Sequence, residues 1–104
     1  MSSREASDVI RGNNNIIRAS ILMLKLDPEY RMTTAMIDSI VSVLQTAENT
    51  FKEDPSIDLV GAYAETVDLV SQVLIRHEMH HMAQMIVDNG EIIKKEGLKS
   101  LFSA

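Results

Sequence analysis

A chain of 104 residues, 45% hydrophobic and 24% charged, amounts to one domain over residues 1–104, with enough apolar content for a modest core and none of the bias of a disordered protein. Its formal charge of −5 excludes the basic footprint that phosphate-backbone binding needs, so no nucleic-acid partner is expected. Without cysteine there is no disulfide, no thiolate metal site and no thiol nucleophile.

The opening "MSSREASDV" is too polar for a signal peptide, and no apolar run approaches the ~18 to 20 residues of a membrane span. The expectation is a cytoplasmic protein with no membrane partner. The first helix runs to about Leu26. From Ile16 onward only Arg18, Ser20 and Lys25 interrupt its apolar residues, so it must be covered from more than one direction. Upstream, Gly12, Asn13, Asn14 and Asn15 are poor helix-interior residues. They predict a helix that starts in earnest at Asn14 or Asn15 as a cap, with residues 3–11 forming a separate turn or short helix. Arg11, Arg18 and Lys25 recur every seven residues and read as the solvated edge of that helix.

Asp27-Pro28 and Asp54-Pro55 each combine an N-cap residue with a proline suited to the first helical position. They predict a second helix from about Pro28 to Glu53 and a third from about Pro55 to Asn89. The second is amphipathic, with Ile40, Leu44, Ala47 and Phe51 inward and Asp38, Ser42, Gln45 and Asn49 outward. Asn89-Gly90 carries the left-handed cap chemistry that would stop the third helix, leaving a short helix or tail from Glu91.

Along the third helix, Tyr63, Val67, Val70, Leu74, His77, His81 and Met85 share one stripe at about 100° per residue and predict the core face. A second stripe of Ile75, Met79, Met82 and Ile86 stands nearly opposite. A rod this long outruns the second helix. Unless the terminal segment with Ile92, Ile93, Leu98, Leu101 and Phe102 folds back over it, its exposed apolar end predicts a partner-binding surface and a homo-oligomer, dimer or higher.

The three histidines of the chain lie in "RHEMHHMAQ", residues 76–84. On a continuous helix His77 and His81 are one turn apart, where two imidazoles can grip one ion. His77-Glu78-Met79-His80-His81 resembles the H-E-x-x-H of zincin peptidases, which implies a zinc ion on the two His and Glu as general base. Glu78 to His81 is similar to the E-x-x-H of ferritin-like di-metal bundles. His77, His81, Ala83 and Gln84 resemble the late helix of DinB-like metal-binding bundles. Each family needs more than this chain has: an edge strand and third ligand, mid-helix Glu residues on facing helices, or a His before position 77. Phosphate-binding glycine loops and nucleophile elbows are absent from the sequence.

The sequence therefore reads as an all-α, antiparallel bundle of three main helices plus a short C-terminal helix, expected to assemble as an oligomer. Its function reads as that of a small acidic non-enzymatic interaction protein, an adaptor or inhibitor, which docks on a protein target and needs no cofactor. In compactness and acidity it resembles small phage or mobile-element proteins that disable a host factor. The alternative is a metal-binding helical bundle with a divalent zinc or iron ion on His77 and His81.

Overall fold

The computed structural model describes residues 2–103, and all its regular elements are helices: α1 (Ser3–Leu26), α2 (Thr34–Glu53), α3 (Ile57–Arg76) and α4 (His80–Phe102). The all-α bundle matches the expectation, while several boundaries differ from it.

α1 is unbroken through Gly12 and the asparagines, starting from Ser2, whose hydroxyl accepts the Glu5 backbone N–H at 3.1 Å. Asn14 is no cap: it is fully buried against α3 with its amide satisfied there. Those tertiary bonds outweigh the few tenths of a kcal/mol that each asparagine costs in helix propensity.

Both Asp-Pro pairs stand at the end of a helix instead of opening the next one. Asp27 is the C-cap of α1, and its carboxylate accepts the Glu29 N–H at 2.9 Å. Its carbonyl then accepts the Tyr30 N–H, and the next helix waits for Thr33, which caps α2 through the Met36 N–H. Asp54 ends α2, and Ser56 caps α3 through the Leu59 N–H. Asp followed by Pro is equally the signature of positions i and i+1 of a β-turn, which Asp27-Pro28 forms, and after both pairs a Ser or Thr cap follows two or more residues later.

α3 is the central helix and touches the other three, whereas α1 and α4 share no contact among the described residues. The expected inner faces are buried: Ile40, Leu44, Ala47 and Phe51 from α2, and Tyr63, Val67, Val70 and Leu74 from α3. The Phe51 and Tyr63 rings stack with centroids 5.6 Å apart. α1 contributes Ile10, Ile17 and Ile21.

The largest correction concerns the third helix. It does not run to Asn89; it ends at Arg76, and after a short turn α4 lies along it. Gly90 is therefore inside a helix. A Cβ there would stand 3.2 Å from both methyls of Val67, so the glycine admits close approach of α4 to α3 and does not stop α4. The segment expected as a short tail is the second half of a 23-residue helix.

Candidate functional site

The H-E-x-x-H segment is the joint between α3 and α4. The Met79 N–H reaches back to the Leu74 carbonyl at 2.8 Å and the Glu78 N–H to the Ile75 carbonyl at 3.0 Å. This 6→1 and 5→2 pair closes a helix when the residue after the cap turns left-handed. That residue is Glu78, at φ 61°, the one non-glycine with positive φ among the described residues. His77 completes the closure. Its Nδ1 lies 2.8 Å from the Val73 carbonyl, which can only accept, so Nδ1 donates and caps an end of α3.

Glycine is the residue that takes this left-handed position without strain. Glu78→Gly is accordingly expected to raise stability by about 0.5 to 1 kcal/mol, read as an upward shift of the denaturation midpoint at unchanged slope. An unchanged or lowered midpoint would contradict the strained joint.

The joint redistributes every residue singled out around it. His77 caps α3 while His81 stands exposed in the first turn of α4, so the pair expected one turn apart on one helix is not formed. Among the described residues no group of three or more His, Asp or Glu side chains is placed to hold a metal ion. A cleft of about 480 Å³ beside His77 is lined by Tyr30 and Arg31 from the α1–α2 turn, with Arg76 and Glu78. Asp27 and Glu29, of the same turn, do not line the cleft.

The apolar stripe of Ile75, Met79, Met82 and Ile86 is likewise divided. Ile75 remains on α3, beside Ala83 and Val87. Met79 is in the joint. Met82 and Ile86, with Met85, line a groove of about 240 Å³ between α4 and α2, opposite Val41 and Leu44. Met82 and Met85 are exposed along it, Met85 contrary to its expected place on the core face because the joint rotates α4 relative to α3, while Ile86 packs against the core. Tyr63 lies at the groove's floor with Glu48. Burial, followed by the negative charge of Glu48, pushes its phenol up to about 12. The floor thus stays neutral at the hydroxyl across physiological pH, and the groove offers thioethers and aliphatic side chains that repack readily around different surfaces.

On the other side of α3 lies a polar network. Asn14 Nδ2 donates to the Ala62 carbonyl at 3.3 Å and to Glu65 Oε1 at 2.9 Å, and its Oδ1 accepts from the Thr66 hydroxyl at 2.7 Å. Arg11 and Arg18 converge on Glu65 Oε2 at 3.3 and 2.9 Å. Burial alone would raise the Glu65 carboxyl. Hydrogen bonds from Asn14 and Arg18, with the charges of Arg18 and Arg11, together hold it below the ordinary carboxylate range. Two of the three evenly spaced cations therefore tie α1 to α3 and fix their register. That is a structural use of the stripe.

α1, expected to be covered from more than one direction, is bare on a second apolar side. Val9, Ile16, Met23 and Leu26 of α1 stand exposed on the side turned away from α3, and Leu22 is exposed at the edge of a cleft shared with α3. Its spacing of 9, 16 and 23 runs directly beside the inward set of Ile10, Ile17 and the half-buried Leu24. No protein-family model matches the chain, and no curated protein and no solved structure matches it either.

Proposed function

We propose that the protein is a non-enzymatic helical interaction protein, an adaptor or inhibitor working in the cytoplasm, which self-associates and docks a methionine-bearing surface on a protein target. In this reading the bundle is antiparallel, and its target-facing surface is the α2–α4 groove with Met82, Met85 and Ile86, continued by Met79 at the joint. The observation that carries it is the exposure of adjacent methionines beside a groove of only about 240 Å³. That volume falls below the ~300 to 1,000 Å³ of small-molecule pockets, while a shallow thioether-lined groove suits the apolar side of a partner helix.

The test is comparative. Met82→Glu with Met85→Glu places two charges on the groove rim at positions that are exposed in the fold, so the thermal midpoint is expected to move by less than about 0.5 kcal/mol equivalent. Crosslinking in the native extract is expected to give a protein product with wild type that the double variant loses by tenfold or more. Equal capture of that product by both forms would remove the groove from the proposal.

A further inference from the structure

α1 is apolar on two nearly opposite faces. Its own chain covers one. Ser7, Ile10, Asn14, Ile17, Ile21 and Leu24 form a three-four spaced seam turned toward the bundle, and all are buried or partly so. Shifted by two residues, which is about 200° around the helix, Val9, Gly12, Ile16, Ala19, Met23 and Leu26 repeat the same spacing on the outside, and all six are exposed. The exposures are 54% for Val9, 67% for Ile16, 45% for Met23 and 71% for Leu26, with Leu22 at 54% beside them. Apolar residues at a 3.5-residue period over about 25 Å of helix form the seam of a two-helix coiled coil.

We propose that this outer face of α1 pairs with α1 of a second copy of the chain, antiparallel across a twofold axis. The order of side-chain sizes along the seam selects that occupant. In an antiparallel pair whose facing positions sum to 35, Val9 meets Leu26, Gly12 meets Met23 and Ile16 meets Ala19. Both small residues are then opposite large ones, and each layer is filled. A parallel in-register pair would set Gly12 on Gly12 and Ala19 on Ala19, leaving two empty layers. Gly12 has no heavy atom within 4 Å of where a Cβ would stand, so there is open space to receive the partner's methionine.

Charge and area point the same way. Of the residues flanking the seam, Asp8, Asn13, Asn15, Ser20, Leu22 and Asp27, only the two aspartates at its ends are charged. The central flank of Asn13, Asn15, Ser20 and Leu22 is neutral and meets no like-charge penalty from a copy, the Asp8–Asp27 pairs being confined to the two ends, and antiparallel helices also align their dipoles favourably. The exposed side chains leave on the order of 500 Å² of apolar surface per copy, so that two copies would bury about 1,000 Å², the lower edge of specific interfaces. This inference rests on the self-association in the reading above but on a different surface from the target groove.

The absence of cysteine makes the test direct. Wild type is expected at twice its 11.6 kDa mass by light scattering at about 100 μM, and Ile16→Glu at the single mass with unchanged helicity, its dissociation constant raised more than about thirtyfold. A mixture of Ile16→Cys and Ala19→Cys chains is expected to form the mixed disulfide, whereas Gly12→Cys alone should not crosslink, its two copies lying about 16 Å apart along the axis. A monomeric wild type, a dimer indifferent to Ile16→Glu, or a Gly12→Cys homodimer would each overturn the proposal. A dimer that dissociates with Met82→Glu and Met85→Glu, while tolerating Ile16→Glu, would move self-association to the groove. Target capture is read separately and survives or fails independently of these results.

Discussion

Gly97→Val is expected to cost about 3 kcal/mol or more and to detach the second half of α4. A side chain at position 97 would overlap the ring of Phe51, which is completely buried and stacked on Tyr63. A ring held on both sides cannot step aside as the tip of a flexible chain can, so either the core shifts or the helix lifts. Lifting it removes Gly97 and the neighbouring Ile93 from the core. Even Gly97→Ala should lose about 1 to 2 kcal/mol, although alanine is the better helix former by about 1 kcal/mol. Gly12→Ala is the control. Position 12 is helical and open, so the same substitution should gain about 0.5 to 1 kcal/mol. Chemical denaturation of both, in the Ile16→Glu background so that assembly does not enter, separates packing from propensity. Gains at both positions would mean that Phe51 does not hold α4.

The same glycine chemistry explains why α4 was only half legible. Gly90 after Asn89 has the local signature of a helix stop, and nothing within ten residues says that Val67 will press against it. The break that does occur, at His77 to Met79, involves no glycine and no proline. Arg, His, Glu and Met are ordinary helix residues, so a continuous rod was the consistent local reading. The joint is set by tertiary gain: folding α4 back places Ala83, Gly90 and Gly97 in buried positions and accepts one left-handed glutamate in exchange. The partner stripe and the histidine pair inherited that error, because both assumed 100° per residue across the joint.

Where period alone decides, the reading was sound. The alternation along α2 separated Leu44 and Phe51 from Gln45 and Asn49 because one face of that helix is wet. α3 up to Leu74 was equally clear. α1 is the instructive case: a helix apolar on two faces was expected to be covered from more than one direction. Its own bundle supplies one cover, and the second is what the dimer inference provides.

Asn14→Asp is expected to cost about 3 to 5 kcal/mol near neutral pH. The substitution replaces an amide that donates to the Ala62 carbonyl and to Glu65 with an oxygen that both repel, at a fully buried position. Asn14→Leu should lose far less, about 1 to 2 kcal/mol. Thr66 keeps its bond to the Ala62 carbonyl at 3.0 Å, and Glu65 keeps Arg11 and Arg18. Acid tells the two apart. The introduced carboxyl has its folded-state affinity for the proton raised by burial and by Glu65, so its destabilisation is present above the unfolded value near 4 and shrinks as the pH falls toward it. Wild type moves oppositely. Glu65 titrates below the ordinary carboxylate range when folded, so its contribution is complete above its unfolded value and is lost as pH falls through the folded one. Stability curves for wild type and Asn14→Asp should therefore converge between pH 7 and pH 4. Parallel curves would mean that the amide is not the group that joins α1 to Glu65.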